Sequence, residues 1–299
     1  MASDSAASAW PLKRRVTLIG ALLNLVLAVS KVIGGALAQS QALIVDGVHS
    51  LSDLASDVMV LFAARYGSLD ADHNHPYGHA RIETLATLAV GLVLLAVAAG
   101  FLLDAFSRLF LGDELVVPGQ LALWVAMGSV VAKEVMFRAT RRVAGRTGSS
   151  LILANAWHHR SDALSSLVVI VGVGGAMLGM VWFDALAAAI VALMLAWVAW
   201  KLLAGASLEL VDTGLSRKEL SVLAATIEGV EGVRGFQRLR TRRMGGQVLV
   251  DVQILVDAQI SVAEADLLTG RVRKALIDQL PGRADITTVI RPDGYNRRP

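Results

Sequence analysis

The chain of 299 residues has no cysteine, which excludes disulfides and thiolate metal sites. It has no histidine after His159 and no helical HExxH pattern. The second absence removes the usual arrangement of a zinc hydrolase, a general base set between two helical ligands. Three stretches lack lysine and arginine altogether: QSQ (39–41), LGDELVVPGQ (111–120) and LGMVWFD (178–184). No low-complexity tract or internal repeat stands out.

What the chain has in plenty is apolar surface. It is 55% hydrophobic with a mean hydropathy of +0.59, too apolar for an ordinary soluble enzyme and suited to a multi-pass membrane protein. Six runs are long enough to cross a bilayer, roughly 16–38, 41–65, 82–110, 119–140, 151–177 and 182–206. The basic residues fall at one set of ends. Lys13, Arg14 and Arg15 precede the first run, Arg65 and Arg81 flank the loop after the second, Arg138, Arg141, Arg142 and Arg146 follow the fourth, and Lys201 closes the sixth. The positive-inside rule then places both termini and the 66–81 and 141–150 loops in the cytoplasm. The opening MASDSAASAWPLKRR enters the first run without a small-residue cleavage site, so a retained first helix is expected. The expected division is a six-helix transmembrane domain over 1–210 and a cytoplasmic domain over 211–299.

The composition of the second part is that of a soluble domain. SRKELSVLAATIEGV and SVAEADLLTGRVRKALIDQL predict helices, each with a capping box, Ser216 with Glu219 and Ser261 with Glu264. VRGFQRLRTRRMGGQVLVDVQILVD predicts two strands turning at Met-Gly-Gly, and ADITTVIRP a third. An αββαβ order buries itself as one small sheet with helices on one face, an α+β fold of ferredoxin-like or metallochaperone-like type. The run RLRTRR (238–243) lies on a strand without the interleaved aromatics of a nucleic-acid stacking platform, so no nucleic-acid partner is expected.

The second run contains VDGVHSLSDLASD (45–57), with Asp46, His49, Asp53 and Asp57 among apolar residues; the fifth opens with NAWHHRSDALSS (155–166). An Asp near the centre of a membrane helix costs about 2.5–3.5 kcal/mol on insertion scales, and ionisable groups there are functional candidates by default. Residues four apart share a helix face, so His49 pairs with Asp53 and His158 with Asp162. Two imidazole nitrogens and two carboxylates make a tetrahedral set suited to Zn²⁺, and two Asp charges balance a divalent ion. Binding requires neutral His and ionised Asp, so loading a protonated site releases protons. Asp46 and Asp57 are assigned to the entry path or to a supporting shell. Lys31, inside the first run, is read as snorkelling or ion-paired, and His159 is left out because it points away from the His158 face.

HSLSD in the second run, HHRSD in the fifth and DADHNHPYGHARIE between the second and third resemble the cation diffusion facilitator family. The resemblance spans essentially the whole chain. It implies a homodimeric metal/proton antiporter of the inner or plasma membrane that exports divalent cations by alternating access, a transporter and not an enzyme. In the family the transport site is built at positions matching His49, Asp53, His158 and Asp162, and His at the first of these is common in zinc transporters. A broader exporter of Cd²⁺, Co²⁺ or Fe²⁺ is the alternative, and a metal-sensing, non-transporting membrane partner is another. The resemblance also implies a second Zn²⁺ site in the loop at Asp72, His75 and His79, with His73 in reach as a fourth ligand. Arg81 and Asp212 match a basic–acidic pair that clasps the membrane and soluble parts. The C-terminal domain departs from the family pattern. Where relatives carry His and Asp for a dinuclear metal site at the dimer contact, this chain has Gln237, Gln253, Asp266, Val289 and Arg291. The fold and the dimer contact are expected there, metal binding of the usual kind is not.

Overall fold

The computed structural model describes residues 2–67, 69, 71–111, 115–147, 150–280 and 283–294. Side chains at 2–17, 56, 57, 60–64, 146, 147, 150, 151, 154 and 283 lie outside the description. Six long helices come first: α1 (Ala2–Leu37), α2 (Gln41–Gly67), α3 (Arg81–Phe106), α4 (Gln120–Thr147), α5 (Ser150–Met177) and α6 (Trp182–Leu210). They occupy the six predicted runs. The end of the third differs, because the run continues past Phe106 as a π turn, Ser107–Leu111. α4 outlasts its apolar stretch and carries Arg138, Arg141 and Arg142 on helical backbone, since backbone hydrogen bonding does not stop where the apolar residues do.

The chain divides into two compact units, 1–58 with 90–201, and 59–89 with 202–299. In the first, small and β-branched residues dominate the interior: Ala42, Val45, Ala126, Val169, Val173 and Val191 are all fully buried, with Leu43 among them. Large apolar side chains point outward instead, among them Leu103, Trp124, Val131 and Trp197. This inverted distribution suits a lipid solvent. Five described helices are long and apolar enough to cross a membrane. α2 matches them in length at 27 residues, with Asp46, His49 and Asp53 lowering its hydropathy and its polar face turned inward. α1 and α2 touch backbone to backbone. A Cβ on Gly35 would lie 2.8 Å from the amide nitrogen of Ile44, and one on Gly47 would lie 2.8 Å from that of Val32. The start of α2 is capped from α6: Ser40 Oγ donates to Asp184 Oδ1 at 2.7 Å, and Gln41 N donates to Asp184 Oδ2 at 2.8 Å. These contacts satisfy donors that a helix end leaves open.

In the second unit, α7 (Arg217–Glu228), β1 (Gly235–Met244), β2 (Gln247–Val256), α8 (Val262–Gln279) and β3 (Arg283–Pro292) follow in order, the predicted αββαβ. Both capping boxes form. β1 and β2 are an antiparallel hairpin turning at Gly245–Gly246, and β3 joins β2 in parallel after the α8 crossover, giving the order β1-β2-β3. Alternation along β2 sends Val248, Val250, Val252, Ile254 and Val256 to one face, where Leu223 and Ile227 of α7 and Leu268, Val272 and Leu276 of α8 cover them. On the other face Leu249 packs with Met244 and Ala80. Gly245 has φ +57°, and a Cβ there would lie 2.5 Å from the carbonyl oxygen of Ala80. Only glycine meets both requirements at no cost.

Candidate metal sites

The interior of the first unit gathers His49 and Asp53 from α2 with Asp162 from α5. One ligand atom from each lies within 4.8 Å of the others. His49 Nε2 is 3.9 Å from Asp53 Oδ2, as the four-residue spacing predicts. His49 Nδ1 and Asp53 Oδ2 are buried without a hydrogen-bond partner. Buried polar atoms are seldom left so, and orphaned atoms on two members of a converging ligand set fit a cation as cargo. His158 stands at the margin. Its Nδ1 is 3.6 Å from Asp162 Oδ1, but its side chain is 48% exposed and it is outside the mutually close set. Three of the four expected ligands therefore converge, and the fourth lies beside Asp162 at 3.6 Å.

The sequence reading missed Lys133 on α4. Its Nζ donates to Asp162 Oδ2 at 2.7 Å and to Asn24 Oδ1 of α1 at 2.8 Å. The signal was present as one more ionisable residue inside a predicted span. Asp46 is held elsewhere. Its carboxylate lies 2.8 Å from Lys31 Nζ, 2.6 Å from Ser165 Oγ and 2.7 Å from Ser166 Oγ, so Lys31 is ion-paired in the interior and does not snorkel. Ser165 Oγ is also 2.8 Å from the carbonyl oxygen of Asp162, so its single hydroxyl hydrogen serves either Asp46 or that carbonyl at one time. The side chain of Asp57 lies outside the described residues. His159 is buried with both ring nitrogens unpartnered, close to Gly20 and Met136.

The loop of the second unit brings Asp72, His75 and His79 together. His75 Nδ1 is 3.3 Å from Asp72 Oδ1, and His79 Nε2 is 3.3 Å from Asp72 Oδ2. The Asp72 carboxylate accepts from the backbone N–H groups of His75 at 2.6 Å and Asn74 at 2.9 Å. These bonds, the His75 amide first, hold its carboxyl below the usual carboxylate range. An ionised carboxylate between two imidazoles is the donor set that a borderline cation takes. His73 is exposed and outside the close set. Nearby, Arg81 Nη2 pairs with Asp212 Oδ1 at 2.7 Å, and Arg242 Nη1 reaches Asp212 Oδ2 at 3.4 Å. Glu209 accepts from both Thr84 Oγ1 and the Gly245 amide. In the sheet, Gln237 pairs with Gln253 and Gln253 with Val289, one row across three strands, while Arg291 sits opposite Leu255.

Residues 17–211 match the model of the cation efflux transmembrane domain, and residues 215–293 match that of the cation efflux protein cytoplasmic domain. The chain belongs to the cation efflux family, the cation diffusion facilitators. Metal tolerance protein C1 of Arabidopsis thaliana is 36% identical over 288 residues, covering 92% of this chain and 61% of that protein. The chain thus spans about three-fifths of that relative's length. Metal tolerance protein 2 of Oryza sativa subsp. japonica is 34% identical over 277 residues, 84% of this chain and 71% of that protein. The manganese efflux system protein MneS of Bacillus subtilis (strain 168) is 30% identical over 264 residues, 87% of this chain and 90% of that protein.

Proposed function

We propose that the chain exports divalent metal cations, Zn²⁺ foremost, in exchange for protons, by alternating access at His49, Asp53, His158 and Asp162. The observation that carries this reading is the convergence of His49, Asp53 and Asp162 in the bundle interior, with two ligand atoms left without partners. Imidazole ligands favour Zn²⁺ over the harder cations. His158, already touching Asp162, completes the set by turning inward. Loading a metal onto protonated imidazole or carboxyl groups expels those protons, which supplies the exchange. The basic ends of the helices put the termini and the 66–81 loop on the cytoplasmic side of an inner or plasma membrane. The loop trio Asp72, His75 and His79 is a second Zn²⁺ position on that side. Residues 211–299 form the dimerisation domain of a homodimer, with 1–210 as the transmembrane domain, and Arg81–Asp212 sets the geometry where the two meet.

A second reading, Mn²⁺ as cargo, is favoured by the name of the Bacillus relative. Proteoliposomes with an imposed pH gradient separate the two. Zn²⁺ and Mn²⁺ uptake are followed for wild type and Asp53→Ala. Zn²⁺ uptake that needs both the gradient and Asp53 is expected. Uptake equal in the two proteins removes the site, uptake indifferent to the gradient removes proton exchange, and faster Mn²⁺ uptake at equal concentration removes the preference for zinc.

A further inference from the structure

Among the described residues, two lysine–aspartate pairs are buried in the helical bundle, and they are not alike. In the first, Lys31 and Asp46 are both fully buried, and the Asp46 carboxylate also faces Ser165 and Ser166, so each of its oxygens has a donor. That pair is closed. In the second, Lys133 Nζ occupies Asp162 Oδ2, while His158 Nδ1 lies 3.6 Å from Asp162 Oδ1, beyond hydrogen-bond distance. The second pair belongs to the set that also holds His49 and Asp53, where His49 Nδ1 and Asp53 Oδ2 have no hydrogen-bond partner.

We propose that Lys133 determines the affinity of the cargo site: its ammonium is a tethered cation that competes with the divalent ion for Asp162. The inference rests on the reading of His49, Asp53 and Asp162 as a transport site. Lys133 is 2% exposed and Asp162 5%, so neither water nor a snorkelling path takes over the ammonium, and its charge is answered inside the protein. Asp162 supplies that answer now. When a metal takes Asp162, the ammonium and the ion compete for the same carboxylate at close range, where little solvent screens them. Asn24 Oδ1, 2.8 Å from Nζ, is the neutral acceptor that remains. The ammonium shifts its weight from the charged to the neutral partner.

Such a competitor suits an exporter. A site of two carboxylates with imidazoles, left to itself, would hold a borderline cation tightly. An exporter must also let go, and a built-in ammonium returns to Asp162 as the ion leaves. Binding strength is traded for release, which raises KM and turnover together.

Full-length protein in lipid nanodiscs is titrated with Zn²⁺, and with Mn²⁺ in parallel, against a fluorescent chelator. Lys133→Gln is expected to bind at least about tenfold more tightly than wild type, equivalent to roughly 1.4 kcal/mol. In proteoliposomes it should saturate at lower metal concentration and turn over more slowly. Lys133→Arg, which keeps the charge, should stay close to wild type in both assays. A lysine that merely braces the bundle would give weaker binding in Lys133→Gln, and equal or weaker binding by a protein of normal helicity overturns the proposal. Should Lys133→Gln not fold, Asn24→Ala decides: removing the acceptor left to the displaced ammonium must weaken metal binding, and unchanged or tighter binding overturns the proposal. Wild type that binds neither metal removes the transport-site reading and this inference with it.

Discussion

Lys31 Nζ lies 2.8 Å from Asp46 Oδ2, with both side chains at 0% exposure, so a full ion pair joins α1 to α2 in the interior of the bundle. Removing one partner of such a pair leaves the other charge buried and uncompensated, at a cost of about 3–5 kcal/mol. Lys31→Met should therefore fall in thermal stability in detergent far more than a surface substitution does. The double variant Lys31→Met/Asp46→Leu should recover part of the loss, because no lone charge remains. A single variant as stable as wild type would show that the pair is dispensable.

His158 and Asp53 should respond differently to truncation. Asp53 belongs to the converging set, whereas His158 is half-exposed and lies outside it, 3.6 Å from Asp162. His158→Ala, which removes the ligand that joins last, should weaken Zn²⁺ binding by about tenfold or more, roughly 1.4 kcal/mol, while Asp53→Ala abolishes uptake. Vesicle uptake over a range of Zn²⁺ concentrations distinguishes a raised KM in the first from lost transport in the second.

Two contacts in the second unit make a contrasting pair. Arg81 and Asp212 are each more than two-fifths exposed, and exposed ion pairs are worth about 0–1 kcal/mol. Arg81→Ala should thus leave thermal stability nearly unchanged. Gly245→Ala should cost more, because its left-handed backbone adds about 1–2 kcal/mol for a residue with a Cβ, and that Cβ meets the Ala80 carbonyl oxygen at 2.5 Å. Thermal unfolding of both variants gives the order.

The helix caps of the C-terminal domain predict an acid response. The Ser216 side chain and backbone lower the Glu219 carboxyl below its ordinary 4.5, and the Ser261 backbone N–H, then its side chain, do the same for Glu264. A carboxyl lowered in the folded state stabilises it above the ordinary value, and loses that effect as pH falls through the folded one. Protection of the first turns of α7 and α8 against hydrogen exchange, corrected for intrinsic rate, should drop below about pH 4.5. Glu219→Gln and Glu264→Gln keep an acceptor oxygen but do not titrate, so the drop should vanish in them.

Much of this architecture was legible because it is local. A capping box spans four residues and a hairpin turn needs Gly245–Gly246, so sequence spacing alone places their partners; Asp72, His75 and His79 fall within one short loop, where the family resemblance pointed to them. The face shared by His49 and Asp53 is equally a property of one helix. Which helices meet is not. Lys133 with Asp162, Lys31 with Asp46 and Asn24 with Lys133 each join different helices, and periodicity along one says nothing of the register against another. His158 shows the same limit from within a helix. Four-residue spacing puts it beside Asp162, but whether its ring lies inside the bundle or at the margin depends on neighbouring helices.

The glycine crossings of α1 and α2 have a mechanical meaning. At Gly35 and Gly47 the two helices come so close that a methyl group would collide with both a side-chain carbon and an amide nitrogen of the other helix, those of Ile44 and Val32. Contact this tight at two points should make α1 and α2 move as one body. His49, Asp53, Lys31 and Asn24 lie on this pair of helices, while Lys133 and Asp162 sit on α4 and α5. On the proposed alternating-access reading, a change in the gap between the pair and those two helices would grip or drop the cation, and the ligand pair on α2 would keep its shape.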